Sequence, residues 1–300
     1  MSIKDDYAPG RFGLSFELFP PKTAESEAVM WRTVAELMDF DPTLVTCTYG
    51  AGGSTRGTTL DVLAGVKSRH DVPVASHLTC VGSSTDELRD YLRAARDLGV
   101  AAIVALRGDP PKGETAFAAV DGGLHHASEL VALVRAEFPE FGILVAGYPE
   151  THQEATSPEA DLENLKRKCA AGGDLVITQL FYDNADFFRF RDRCNALGIM
   201  TPIVPGVMPV TNYAQVRRIA SLCKARLPES FTRPFEAAGD DEEAQFEAGV
   251  TFAARQVEEL IAGGVPGVHF YVLNKSPATV RVLDHVGLER AGGGHDRRGG

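Results

Sequence analysis

The sequence is poor in the features that mark several large classes of protein. It has 30 Lys and Arg against 41 Asp and Glu, a net charge of -11. Proteins that neutralise a phosphate backbone do so with clustered Lys and Arg, so a nucleic-acid partner is excluded. No apolar run approaches the roughly 20 residues of a bilayer span. The opening MSIKDDYAPG has neither the apolar segment nor the cleavage site of a secretory signal, so a cytoplasmic protein without a membrane partner is expected. Cysteine is sparse: Cys47, Cys80, Cys169, Cys194 and Cys223 lie far apart with no C-x-x-C, which excludes a disulfide framework and a zinc ribbon and leaves reduced, structural thiols. No G-x-G-x-x-G follows any apolar run, so the dinucleotide turn of an open doubly wound sheet is missing. There is no internal repeat and no shift in composition that would divide the chain.

What is present is an ordinary globular chain of 300 residues, 44% hydrophobic and 24% charged, long enough for one large core. Eight short apolar or β-branched runs stand out: Leu14–Phe19, Leu44–Thr48, Val74–Thr79, Ala102–Leu106, Ile143–Gly147, Leu175–Leu180, Ile203–Val207 and Val268–Leu273. Helical segments with readable punctuation separate them. Ser84 and Glu87 have the spacing of a capping box and Gly99 stands at a C′ position. Ser157 is an N-cap with Pro158 at N1, and Gly172 ends that helix. The long stretch from Asn212 to Gly267 holds a helix, an acidic turn and a second helix from Glu242 to Ala262. Alternation of eight strands and helices predicts an α/β fold, a single (β/α)8 barrel over residues 1–290 with extra helices before the last strand. A doubly wound open sheet is the competing architecture. The closing AGGGHDRRGG, 291–300, is expected to be a disordered tail.

The strand ends carry the chemistry. Glu17, Thr48, His77, Asp109, Tyr148, Gln179 and Tyr271 each stand at or just past the end of a run, and a barrel gathers such ends at one mouth. In LSFELFPP, period-2 alternation places Ser15, Glu17 and Phe19 on one face and Leu14, Phe16 and Leu18 on the other. A carboxylate there is either a structural ion pair or a general acid whose apolar walls raise its pKa. GGSTRGTT nearly fits a P-loop, but Thr58 stands where the Lys is required. In LRGDPP, Arg107 and Asp109 flank Gly108, either as an internal ion pair or as a grip for a polar ring. His77, His152 and His269 can reach the mouth, yet no spacing suits a metal site, and none is expected. Asp161, Asn164 and Lys168 share a helical stripe that either faces solvent or looks back toward the mouth, with types suited to a ribose and a diphosphate.

SFELFPPK, VTCTYGAGGSTR, HLTCVG, ALRGDPP, AGYPETHQEA, DLENLKRK, ITQLFYD, RFRDRC, PIVPGVMPV and HFYVLNK, in this order, resemble the methylenetetrahydrofolate reductase family from about Phe12 to Gly287. The resemblance implies an oxidoreductase of one-carbon metabolism leading to methionine. Such an enzyme reduces 5,10-methylenetetrahydrofolate to 5-methyltetrahydrofolate by ping-pong hydride transfer from NADH or NADPH through FAD. It also implies roles. Glu17 is the acid, and Asp109 is the carboxylate near flavin and pterin. Thr48, Tyr49, Ala51, His77, Arg107, Gly108, His126, Tyr148, His152, Ala155, Asp161, Asn164, Arg167 and Lys168 match flavin contacts. Gln179, Gln215, Tyr271 and Lys275 lie on the substrate side. His126 stands where the family usually has Tyr, Lys275 where it has Arg, and Ile219 where some members have an aromatic; Lys keeps the charge but loses the bidentate fork. Expected partners are a reduced folate, a nicotinamide nucleotide and further copies of the chain in a homo-oligomer. A proline-dehydrogenase-like flavin barrel and a flavin-free folate binder are the alternatives.

Overall fold

The computed structural model describes residues 3–49, 56–110, 113–114, 117–288 and 290. Nine parallel strand segments form one curled sheet: β1 (Gly13–Leu18), β2 (Leu44–Cys47), β3 (Val74–Thr79), β4 (Ala102–Leu106), β5 (Gly142–Gly147), β6 (Leu175–Thr178), β7 (Ile203–Val204), β8 (Gly206–Val207) and β9 (Gly267–Tyr271). Their order is β7-β6-β5-β4-β3-β2-β1-β9-β8. β7 and β8 are two halves of one stave. Pro205 between them has no N–H to give, so the ladder breaks there. β7 stays with β6 and β8 with β9, while the Pro205 carbonyl accepts from His269 N at 3.0 Å. The eight expected staves are therefore present, and the ring closes across a proline. The expected barrel is found, not the open sheet.

The helices are α1 (Ala24–Met38), α2 (Arg56–Arg69), α3 (Thr85–Asp97), α4 (Ala127–Glu137), α5 (Pro158–Ala170), α6 (Asn184–Ala196), α7 (Tyr213–Cys223), α8 (Glu229–Ala238), α9 (Glu242–Ala262) and α10 (Pro277–His285). Their starts follow local chemistry. Ser84 Oγ accepts from Glu87 N while Glu87 Oε2 accepts from Ser84 N at 2.8 Å, the reciprocal capping box that begins α3. Ser157 Oγ accepts from Ala160 N at 3.1 Å and Pro158 opens α5. Gly99 and Gly172, just past α3 and α5, take positive φ of 70° and 123°. Three helices, α7, α8 and α9, precede the last strand where two were expected, so two are extra to the barrel repeat, and α9 has the expected bounds. The tail at 291–300 lies outside the described residues.

Strand alternation divides the core in two. Phe16, Leu18, Ile103, Ile143, Val176, Val268 and Phe270 point outward and pack beneath the helices. Leu44, Ala75, Val104, Leu144, Leu175, Ile177 and Val204 fill the barrel interior. A short 3-10 helix, Ile3–Tyr7, plugs the bottom of that interior with both of its apolar side chains. Glycines at three strand starts make room for it. A Cβ on Gly13 would stand 2.1 Å from the Tyr7 ring, one on Gly267 2.9 Å from it, and one on Gly142 2.7 Å from Ile3. The plug closes one end, so the other end, where the strands finish, is the open one.

Candidate active site

At that open end lies a cavity of about 530 Å³. All seven strand-end residues line it: Glu17, Thr48, His77, Asp109, Tyr148, Gln179 and Tyr271, joined by Tyr49, Arg107, Gly108, His152 and Ile219. Closure of the barrel is what brings these residues, spread over most of the chain, to one place.

Glu17 is the electrostatic centre. β1 carries it inward, with Ser15 one step below on the same face, and the carboxylate is 18% exposed. His77 Nε2 from β3 stands 3.2 Å from its Oε2 and His269 Nε2 from β9 3.7 Å from the same oxygen. On the far side of the His269 ring, Nδ1 and Ser15 Oγ are hydrogen-bonded at 2.8 Å. Burial alone would push the Glu17 carboxyl up, but the two imidazoles outweigh it and hold it down at about 2. This reverses the expectation that apolar walls raise it. The walls are there, but two imidazoles come with them, supplied by strands remote in sequence.

The opposite wall is built by the ends of β4 and β5. The Arg107 guanidinium makes a forked pair with Glu154, Nη1 to Oε2 at 2.7 Å and Nη2 to Oε1 at 2.8 Å. Arg107 and Asp109 are therefore not an internal pair: Glu154 is the partner, and Asp109 is exposed at the rim. Gly108 has φ 90°, and a Cβ there would stand 2.6 Å from Val81, so only glycine lets this turn lie flat on its neighbour. Tyr148 and His152 stack edge to face at 4.6 Å. Beside the cavity, Thr79 Oγ1 is buried without a hydrogen-bond partner among the described residues.

The α5 stripe serves less of the cavity than its residue types suggest. Asp161 is buried and its Oδ2 accepts from His152 N at 2.9 Å, so it fixes the loop after β5. Lys168 Nζ donates to Ala146 O, and burial pulls its ammonium down to about 8 against the pull of Asp161. Asn164 and Arg167 are exposed and bonded to each other at 3.0 Å. Ala155 closes a turn onto His152 O, and His126 is the exposed residue preceding α4. None of these six residues lines the cavity. Ala51 lies outside the described residues.

Of the residues expected on the substrate side, Gln179 accepts through Oε1 from Leu180 N at 2.9 Å. Tyr271, which also lines the cavity, crosses from β9 to donate its hydroxyl to Thr178 O at 2.8 Å, so that hydroxyl is already engaged. Gly206 permits that crossing, since a Cβ would meet the Tyr271 ring at 2.6 Å. Gln215 and Lys275 meet in a second cavity of about 210 Å³, which shares Leu273 with the first. Asn274 had no signal in the sequence, Ser15 had only a hint, from its shared face with Glu17, and no spacing announces that Glu154 pairs with Arg107. Among the described residues there is no group of His, Cys, Asp and Glu that could hold a metal ion, and no helix long and apolar enough to cross a membrane.

Comparison with known proteins follows the same outline. The model of the family described as methylenetetrahydrofolate reductase matches residues 2–287. The chain is 39% identical over 279 residues to the 5,10-methylenetetrahydrofolate reductase of Escherichia coli (strain K12), covering 93% of this chain and 92% of that one. It is 37% identical over 296 residues to methylenetetrahydrofolate reductase (NADH) 1 of Arabidopsis thaliana, of which it spans half the length. Among solved structures, a protein from Clostridium thermocellum that binds two copies of 5-methyl-5,6,7,8-tetrahydrofolic acid shares the fold. Its TM-score is 0.63 at 13% identity, with 94% of this chain and 97% of that one covered. By its matched span, its identity to these relatives and its fold, the chain belongs to the methylenetetrahydrofolate reductase family.

Proposed function

We propose that this chain reduces 5,10-methylenetetrahydrofolate to 5-methyltetrahydrofolate with NADH or NADPH as donor and FAD as resident cofactor. The observation that carries the reading is the Glu17 carboxylate, held between His77 and His269 in the wall of the mouth cavity. The residues present suit a flavin. The cavity of about 530 Å³ can take stacked rings. Thr79 offers a hydroxyl with no partner among the described residues, and Arg107, paired with Glu154, brings a guanidinium to the cavity wall. Asn164 and Arg167, exposed on α5, suit the half of the dinucleotide that reaches beyond the cavity. When bound, FAD supplies a hydride path that no side chain offers.

The chain's own residues do the rest. Tyr148, His152 and the Tyr271 ring form walls that orient flat ligands and exclude water. Asp109 at the rim places a negative charge beside the ring site. Gln179 presents its amide to the same space, while Gln215 and Lys275 receive the acidic end of the folate in the smaller cavity. Glu17 delivers the proton that opens the folate ring. The two imidazoles hold its carboxyl down in the free protein, so it takes up a proton before it delivers one. Ser15 keeps the His269 ring turned toward Glu17. Nicotinamide and folate would use the same face in turn, giving ping-pong kinetics. The test is anaerobic: load the protein with FAD, reduce it with NADH or NADPH, then add methylenetetrahydrofolate. Oxidation of the flavin with formation of 5-methyltetrahydrofolate is expected, and a reduced flavin indifferent to folate overturns the reading.

A further inference from the structure

Asn274 is buried just past β9, and its side chain takes both backbone groups of one residue. Its Oδ1 accepts from Phe19 N at 3.1 Å and its Nδ2 donates to Phe19 O at 2.7 Å. β1 and β9 pair only as far as Glu17 and Tyr271. The amide thus continues the ladder beyond the point where the two backbones part. The Asn274 carbonyl in turn accepts from Thr33 Oγ1 of α1 at 3.0 Å. Leu273 and Asn274 both hold left-handed φ, 50° and 52°. Two successive non-glycine residues keep that conformation only where the surroundings enforce it, and the bridge to Phe19 is the enforcement. What it holds in place is functional surface: Leu273 is the wall shared by the large and small cavities, and Lys275 lines the small one.

We propose that Asn274 is a positioning residue for the folate half-reaction: by bridging Phe19 N and O it sets the partition between the two cavities. An elongated substrate with its ring system beside Glu17 then reaches Gln215 and Lys275 with its acidic end. This rests on the proposed folate reading. Once the bridge is lost, the left-handed turn at residues 273 and 274 relaxes toward ordinary φ and carries Lys275 with it, and the passage between the cavities changes shape while the Arg107 and Tyr148 wall does not.

Asn274→Gly isolates the bridge, because glycine takes left-handed φ without strain and only the amide is lost. The full chain loaded with FAD is used. Three things are measured: flavin reduction by NADH, reoxidation against methylenetetrahydrofolate concentration, and direct binding of 5-methyltetrahydrofolate. The folate KM and the 5-methyltetrahydrofolate Kd should rise by about tenfold or more. The limiting reoxidation rate, flavin reduction and FAD affinity should stay within about twofold. Asn274→Asp gives a second arm. Its carboxylate has no donor for Phe19 O at neutral pH, but its protonated form restores one, so folate affinity should recover as the pH falls toward about 5. The wild type should show no such recovery. An unchanged KM in Asn274→Gly, or both half-reactions slowing together, overturns the inference while leaving the folate reading intact. A wild type that neither binds nor reduces folate overturns the parent reading, and this inference with it.

Discussion

Replacing Glu17 with Gln keeps the size of the side chain and its capacity to accept a hydrogen bond, and removes the charge and the transferable proton. The hold of the two imidazoles on the carboxyl, from its ordinary 4.5 to about 2, corresponds to about 3 kcal/mol in favour of the ionised form. Two effects follow. Reoxidation of the flavin by methylenetetrahydrofolate should fall roughly 10²–10⁴-fold, the range for loss of a general acid, while reduction by NADH or NADPH stays near its wild-type rate. Stopped-flow traces of the two halves measure this. The second effect is on stability. With the folded value depressed, the contribution is whole above about pH 4.5 and is lost as the pH falls through about 2. Glu17→Gln should therefore lower unfolding free energy by up to about 3 kcal/mol at pH 7, and by much less near pH 2. Equal slowing of both half-reactions would make Glu17 a cofactor-positioning carboxylate. A stability deficit that does not shrink in acid would mean the imidazoles are not its partners.

Asp109→Asn removes a negative charge at the rim and should raise the bound flavin's reduction potential on the order of tens of millivolts, read by redox titration. Gly206→Ala forces a Cβ to 2.3 Å from Thr178 O and 2.6 Å from the Tyr271 ring; denaturant unfolding should show a loss of about 1–3 kcal/mol. Lys168, pulled down to about 8 by burial, binds fewer protons folded than unfolded between about pH 8 and its ordinary 10.5, so stability should rise with pH across that window. If a diphosphate settles beside it, FAD binding near pH 8.5 should take up a proton, which calorimetry in buffers of different ionisation enthalpy detects; no uptake would place the cofactor's phosphates elsewhere.

The barrel was legible because its causes are local. β-branched runs, the Ser84–Glu87 capping box and the glycine stops at Gly99 and Gly172 each act within a few residues, and their alternation has few solutions. The mouth was legible for the same reason, since a polar residue at a strand end has one place to go in a closed barrel. What stayed hidden depends on which strands become neighbours. The lowered Glu17 carboxyl is set by His77 and His269, and no spacing announces a partner 252 residues away. The engagement of Tyr271 with Thr178 O and the forked Arg107–Glu154 pair are cross-barrel events of the same kind. The split at Pro205 had its signal in the proline itself. Asn274 had none, because a left-handed asparagine in a loop looks like any polar turn residue.

The plug at the barrel floor also bears on the order of assembly. Ile3 and Tyr7 rest against Gly13, Gly142 and Gly267, that is, against β1, β5 and β9. The first of the described elements to be synthesised thus has a seat that is complete only when the last strand has been made and paired. Seating residues 3–7 cannot be an early event. It belongs to the final closure, after contacts of the highest sequence separation have formed, and such contacts are slow to form. Until then the underside of the barrel, with the buried Ser15 and His269 above it, stays open to water and to other chains, which makes the unclosed ring the species most exposed to aggregation.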